Sequence, residues 1–306
     1  MSEEKCKKRI KPKESGAKKD MNTESLGLEY KTTESVFEEV TGEVPYLKVR
    51  ILEETGLVRS GFSTRLGGVS QGEYASMNLS FTRGDDPECV KENFRRIGEA
   101  MGIPCEKMVY SRQTHTTNVR MVTEADAGYG VTRERPYTDV DGLVTNVPGI
   151  CLVTSYADCV PLYFLDPKKK VIGLSHSGWR GTVGKMGQVT VRRMQEEYGC
   201  DPADILAAVG PSICQDCYEV SEDVIEQFRQ NFTDTIWDKL FYRKSNGKYQ
   251  LNLWEANRQV FLEAGIRPEH MTVTNVCTRC NSKILYSHRV MGERRGNLCA
   301  FLQLKP

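Results

Sequence analysis

Apolar positions along this chain fall into short runs bounded by Pro, Gly and charged residues. The densest stretch, residues 149–181, reads GICLVTSYADCVPLYFLDPKKKVIGLSHSGWRG. Residues 149–156 are almost continuously apolar and stop at Ala157-Asp158-Cys159, with Pro161 behind them. Residues 167–170, Pro-Lys-Lys-Lys, make a turn, and a second apolar run at 171–175 ends at His176-Ser177-Gly178-Trp179-Arg180-Gly181. Such runs predict two covered strands, each delivering a polar cluster at its end. The Gly-rich bend after His176 opens a helical stretch over 182–198, whose first N–H groups can face an anion.

The remaining elements follow from the same periodicities. Residues 44–57 alternate as a strand does and pair as an edge hairpin with 58–62. Residues 61–74 form a loop rich in glycine, with Arg65 ahead of Gly67-Gly68, whose backbone can approach a ligand closely. Residues 86–101 carry Pro87 near the start and place Val90, Phe94, Ile97 and Met101 on one helical face. The segment 108–121 reads as strand, polar kink at Gln113-Thr114-His115, and strand. Strands are expected at 140–147, 204–209, 271–276 and 298–304, and helices at 221–232, with Ser221 as N-cap, and at 251–264. This irregular alternation predicts an α+β domain with a mixed sheet rather than a doubly wound parallel one. Residues 1 to about 30 lack any apolar period, carry Lys7-Lys8-Arg9 and Lys18-Lys19, and read as a disordered basic tail. The catalytic domain is then a single unit over 31–306.

Composition narrows the class. At 306 residues, with 39% hydrophobic and 27% charged positions, the chain can bury a substantial core. A formal net charge of +1 gives no whole-chain signal for nucleic acid. No apolar run approaches the ~18 residues of a membrane span, and the N-terminus lacks the apolar core of a signal peptide. A cytoplasmic setting follows, in which the 11 cysteines are expected as thiols or metal ligands.

The chain has four histidines, His115, His176, His270 and His288, which limits the metal sites it can build. His115 at a strand-edge kink, with Cys159 and His176 at strand ends, could form a His₂Cys set that leaves a fourth metal position open. The same residues allow Cys159 to act as a nucleophile, with His115 or His176 as base and Asp158 as orienter. A third possibility uses Cys214-x-x-Cys217 and Cys277-x-x-Cys280, spaced as in a Cys₄ ribbon. Missing knuckle glycines and two intervening helices weigh against that pairing. Arg65 and Arg180 are candidate anion binders, and Asp158 a candidate acid or base.

Taken together, GFSTRLGGVSQGEY, QTH at 113–115, DGLVT at 141–145, ADCVP at 157–161, HSGWRG at 176–181, GPSI at 210–213, LNLWEAN at 251–257 and CT at 277–278 closely resemble the laccase-domain purine nucleoside phosphorylase family. Its bacterial members have been called YfiH- or YlmD-like proteins, polyphenol oxidases and peptidoglycan editing factors. The resemblance covers roughly residues 40–306. It implies a layered α/β/β/α fold and makes His115, Cys159 and His176 zinc ligands. It also implies phosphorolysis of adenosine, inosine and S-methyl-5′-thioadenosine, together with adenosine deamination. Arg65 is expected to hold the phosphate and Arg180 to bind substrate. Copper fits less well: a multicopper centre consumes more histidines than the chain has, and no nearby Met offers an axial ligand. Two readings of other classes stand beside this one. They are a cysteine hydrolase acting on peptidoglycan precursors through Cys159, and a zinc-stabilised interaction module built on the CxxC pairs.

Overall fold

The computed structural model describes residues 25–306. Two six-stranded mixed sheets carry most of the chain. The first runs, in spatial order, Phe37–Val40 (β1), Tyr46–Val49 (β2), Val58–Ser63 (β3), Leu298–Leu304 (β15), Cys151–Tyr156 (β7) and Met108–Tyr110 (β4). The second runs Met271–Val273 (β14), Leu206–Val209 (β10), Val160–Asp166 (β8), Val171–Ser177 (β9), Gly142–Thr145 (β6) and Val119–Met121 (β5). A small antiparallel sheet of Glu219–Val220 (β11), Tyr249–Leu251 (β13) and Phe241–Arg243 (β12) lies to one side.

The sheets stack face to face because their strands are apolar on both faces. In β15, Leu298, Ala300, Leu302 and Leu304 join the core between the sheets, which also holds Leu152 and Tyr156 of β7 and Leu174 of β9. The alternate residues Cys299 and Phe301 face outward onto the helix Pro87–Met101 (α1). The period of two along a strand thus feeds two cores at once. On the far side, Leu162 and Phe164 of β8 pack against Met186–Tyr198 (α3) and Leu253–Glu263 (α5). Glu222–Asn231 (α4) completes that layer through Val224, Ile225 and Phe228. The result is the expected α/β/β/α layering in one domain.

Helix α1 forms where its sequence places it. The Asp86 carboxylate accepts from the Glu88 N–H at 2.9 Å, Pro87 opens the first turn and Gly102 closes the last in the left-handed region. Val90, Phe94, Ile97 and Met101 are buried, each contributing about 1.5–3 kcal/mol.

Four expectations need correction. The stretch 149–177 holds three strands, since 160–166 forms β8 despite Pro161. That proline is tolerated because it sits at the second residue, before the register with β10 begins at Leu162. The helix expected over 182–198 is two, Trp179–Val183 (α2) and α3, broken where Lys185 adopts φ 58°. Gly67 and Gly68 of the glycine-rich loop make room for the chain's own backbone: a Cβ there would strike Glu43 or Ser76, and no ligand space opens. Finally, residues 25–30, assigned to the tail, are tied down. The Leu26 N–H donates to Glu39 at 2.6 Å and the Glu29 N–H to Asn281 at 2.7 Å. The basic clusters of the tail lie outside the described residues.

Among the described residues no helix is long and apolar enough to cross a membrane. The feature that matters most for chemistry is where the chain passes between sheets. Residues 111–118 cross from β4 in the first sheet to β5 in the second, and residues 157–159 cross from β7 to β8. Both crossings meet the end of β9.

Candidate metal and active site

The two crossings carry His115 and Cys159, and the end of β9 carries His176. Their ligand atoms all lie within 4.8 Å of one another. The imidazoles of His115 and His176 meet edge to face with centroids 5.0 Å apart. His176 is buried, Cys159 half-buried and His115 exposed. Two of the turns that build this geometry are strained: His115 has φ 66° and Asp158 has φ 87°. Non-glycine residues hold this conformation only where their surroundings enforce it.

What enforces it at His115 is Asp141, fully buried at the entry to β6. Its carboxylate accepts the backbone N–H groups of Thr114 at 2.9 Å, His115 at 3.1 Å and Thr116 at 3.2 Å. It also accepts from the Nδ1 of His176 at 2.8 Å, leaving Nε2 as the nitrogen free to ligate a metal. Burial alone would raise the Asp141 carboxyl, but His176 and these N–H donors outweigh it and hold the group below the usual range. Asp139 ties the same loop through Thr116 at 2.8 Å and Asn118 at 2.8 Å. Gln113 clips the loop onto β7, its amide pairing with both backbone groups of Ser155.

The electrostatics at Cys159 and His176 are reciprocal. Burial disfavours the Cys159 thiolate, yet the two imidazoles overcome it and bring the thiol down to about 6. Burial likewise disfavours a charged His176, while Cys159 and Asp141 push it up to about 9. A thiolate and two imidazoles converging without a fourth protein donor fit a transition-metal ion with one open position. Gly178 keeps that space clear: a Cβ there would stand 3.1 Å from both the Cys159 sulfur and the His115 ring.

His115, Cys159 and His176 open onto a cavity of about 150 Å³ whose walls include Phe81, Arg83, Tyr110 and Arg295. Phe81, Arg112 and Arg135 also line a wider groove of about 480 Å³ beside it. Arg295 is 5% exposed, and its Nε is buried without a partner while Nη1 donates to Asn297. Desolvation lowers the Arg295 guanidinium to about 10, so it stays charged at neutral pH. A buried cation on a cavity wall that carries four arginines and, among the described residues, no carboxylate is a place for an anion.

Not every expected residue reaches this cavity. The Arg65 guanidinium is spent on the Ala75 carbonyl, at 2.8 and 3.0 Å, and on Ser282 at 3.0 Å, and it stacks on Tyr286. Arg65 therefore braces a loop away from the ligands. Arg180 is exposed and lies 4.2 Å over the Trp179 ring, outside the cavity wall. The Asp158 carboxylate accepts from Thr278 Oγ1 at 2.6 Å, Ser287 Oγ at 3.0 Å and the Arg289 N–H at 2.7 Å. So engaged, it positions the C-terminal segment and is not free to shuttle protons. Asp141, Gly178 and Arg295 carry roles here that the sequence motifs alone do not assign. Asp141 had a visible signal, a carboxylate opening a strand of small and apolar residues.

A multi-copper centre finds no support in the donor set. Of the two other histidines, His270 lies in the turn before β14 and His288 bonds the Gly292 carbonyl at 3.2 Å, so neither joins the site.

Comparison with known proteins gives the family. The family model described as multi-copper polyphenol oxidoreductase laccase matches residues 59–305. A Bacillus subtilis (strain 168) protein named purine nucleoside phosphorylase YlmD is 34% identical over 249 residues, 81% of this chain and 89% of that relative. A protein from an unknown prokaryotic organism named adenosine deaminase RL5 is 33% identical over 237 residues, 77% of this chain and 90% of its own length. The crystal structure of YlmD from Geobacillus stearothermophilus superposes with a TM-score of 0.82 at 33% identity, covering 89% of this chain and 99% of that one. By sequence match, fold and likeness to these relatives, the chain belongs to the multi-copper polyphenol oxidoreductase laccase family.

Proposed function

We propose that this chain is a zinc-dependent purine nucleoside phosphorylase that cleaves adenosine, inosine and S-methyl-5′-thioadenosine with phosphate, and that the same site deaminates adenosine. The observation that carries the reading is the placement of an open His₂Cys donor set and the buried guanidinium of Arg295 on one small cavity. The names of the relatives supply the substrate class. Zinc is the metal of choice because three nitrogen and sulfur ligands with one position free is its catalytic pattern, and among the described residues no methionine lines the cavity as the axial ligand a blue-copper site takes. Bound there, it would supply Lewis acidity facing the cavity.

The protein's own groups have separable tasks. Asp141 fixes His176 with Nε2 as the ligand atom and holds the His115 loop in its left-handed turn. Arg295, kept charged although buried, would bind the phosphate and balance its charge as it attacks the ribose. Phe81 and Tyr110 offer ring surface to a purine, and the wider groove gives the sugar or base room to extend. The expected phosphate role of Arg65 passes to Arg295.

One geometric fact favours a second reading. Cys159, His176 and Asp141 are arranged as nucleophile, base and orienter, with the thiol already low. A cysteine hydrolase would use this triad without metal.

Purified protein incubated with inosine separates the two readings. Hypoxanthine release that needs both phosphate and bound zinc is expected; no release in any condition, with metal-independent cleavage of wall-precursor amides that alkylating Cys159 abolishes, would favour the hydrolase. In the same assay Arg295→Gln should raise the phosphate KM by roughly 10–100-fold, the worth of one charge-assisted bond, while adenosine deamination without phosphate changes little. Equal losses in both reactions would remove Arg295 from the phosphate site. Asp141→Asn should lower zinc affinity by about 10–100-fold with the far-ultraviolet circular dichroism unchanged, since an amide cannot accept from three N–H groups and His176 at once. An unchanged affinity would contradict its role.

Zinc uptake should also depend on pH in a defined sense. His176, held up to about 9, must lose its proton to ligate, whereas Cys159, down at about 6, is already ionised at neutral pH. Between these values affinity should rise about tenfold per pH unit, with roughly one proton released per zinc. Below pH 6 the slope should steepen as Cys159 protonates. Chelator competition at several pH values measures this, and a flat profile from 6 to 9 would refute the assignment.

A further inference from the structure

Away from the cavity, the fold gathers four more thiols. Cys214 and Cys217 follow β10, Cys277 and Cys280 follow β14, and all four sulfurs lie within 4.8 Å of one another. Cys217 Sγ and Cys280 Sγ are 3.6 Å apart. Four sulfurs placed tetrahedrally around zinc at a Zn–S distance of about 2.3 Å would be separated by about 3.8 Å, which this cluster approaches. A four-iron cubane spreads its cysteine sulfurs farther apart.

The surroundings are those of metal thiolates. The backbone N–H groups of Cys214 and Cys280 donate to Cys277 Sγ at 3.3 and 3.5 Å, and Arg279 Nη1 donates to Cys217 Sγ at 3.3 Å. A one-turn 3₁₀ helix, Gln215–Cys217, bends the first pair so that both its sulfurs face the second. Ile213, Tyr218 and Trp254 pack around the cluster, and three of the four cysteines are buried. Without an ion, four thiols crowded into one enclosure would have few good partners for their S–H groups. With all four positions taken by sulfur, such a site leaves no room for substrate or water.

We propose that Cys214, Cys217, Cys277 and Cys280 hold a second, structural zinc ion, which clips the segment after β10 to the segment after β14 and through them steadies the catalytic turn. The link is short. The Ile213 N–H donates to the Asp158 carbonyl at 3.0 Å, and Thr278 Oγ1 donates to the Asp158 carboxylate at 2.6 Å. Thr278 also donates its N–H to Ser212 at 3.1 Å, closing the clip on itself. Asp158, at φ 87°, immediately precedes Cys159. On the other side, Asn281 accepts the Glu29 N–H at 2.7 Å, so the clip also anchors the first described residues. The cysteines of this site are positioning residues, since none reaches the cavity.

Zinc content of the full-length chain, purified without chelators, tests this independently of the catalytic reading. The Cys159→Ala protein, which lacks the open site, should retain one zinc per chain, and Cys159→Ala with Cys280→Ser should retain none. Zinc absent from Cys159→Ala, or iron in its place, would overturn the proposal. A Cys217–Cys280 disulfide in freshly purified protein, read by mass spectrometry after alkylation, would overturn it too. Cobalt substitution of the unmutated chain covers the case in which the double variant does not fold. Its spectrum should contain the sulfur-to-cobalt charge-transfer intensity of a tetrathiolate in addition to that of a single-thiolate site. Intensity fitting one thiolate per chain would refute the second site.

Discussion

One buried carboxylate holds the candidate site together. Asp141 sits where β6 begins, accepts three consecutive backbone N–H groups from the 114–116 turn, and accepts Nδ1 of His176 from the neighbouring strand. An ionised carboxylate out of water is costly unless its acceptor sites are filled. Here they are filled by the turn and the ring that the chemistry requires. The same bonds, with one more from the Thr116 hydroxyl, satisfy Asp141, hold His115 in the left-handed region and fix which nitrogen of His176 is free to ligate. Stability and site geometry are thus one set of interactions.

The layered fold makes this possible by bringing distant chain segments to one edge. Neither sheet contains the site. It forms where the chain leaves the first sheet for the second, twice, and where β9 ends between the two crossings. Strands apolar on both faces keep the sheets in register, so turns with strained backbone can be held at their junction. The cysteine clip adds a third constraint from the far side of Asp158.

What the sequence disclosed follows from how local each signal is. Helix α1 was legible because its cap, its Pro87 and its apolar face all lie within one segment. The identity of His115, Cys159 and His176 was legible as residue types at strand ends, and through motif resemblance. That they converge depends on two inter-sheet crossings, which no local pattern encodes. Strand β8 was hidden by Pro161, whose tolerance depends on where a neighbouring register begins. Arg65 and Arg295 illustrate the limit best: both are arginines within two residues of a glycine, and only packing decides that one is spent on carbonyls while the other is buried with Nε unpartnered. The four-cysteine cluster departs from the usual ribbon pattern because its halves follow adjacent parallel strands, β10 and β14, rather than forming paired knuckles.

The central claim is that the two crossings and β9 build a single His₂Cys metal site oriented by Asp141. A crystal structure of the zinc-loaded chain, with anomalous differences recorded at the zinc edge, tests it most directly. A zinc peak bonded to His115, Cys159 and His176 is expected, with His176 Nδ1 still on Asp141 and the fourth position facing Arg295. A zinc-loaded crystal with no peak among these three residues, or with Asp141 turned away from His176, would contradict it.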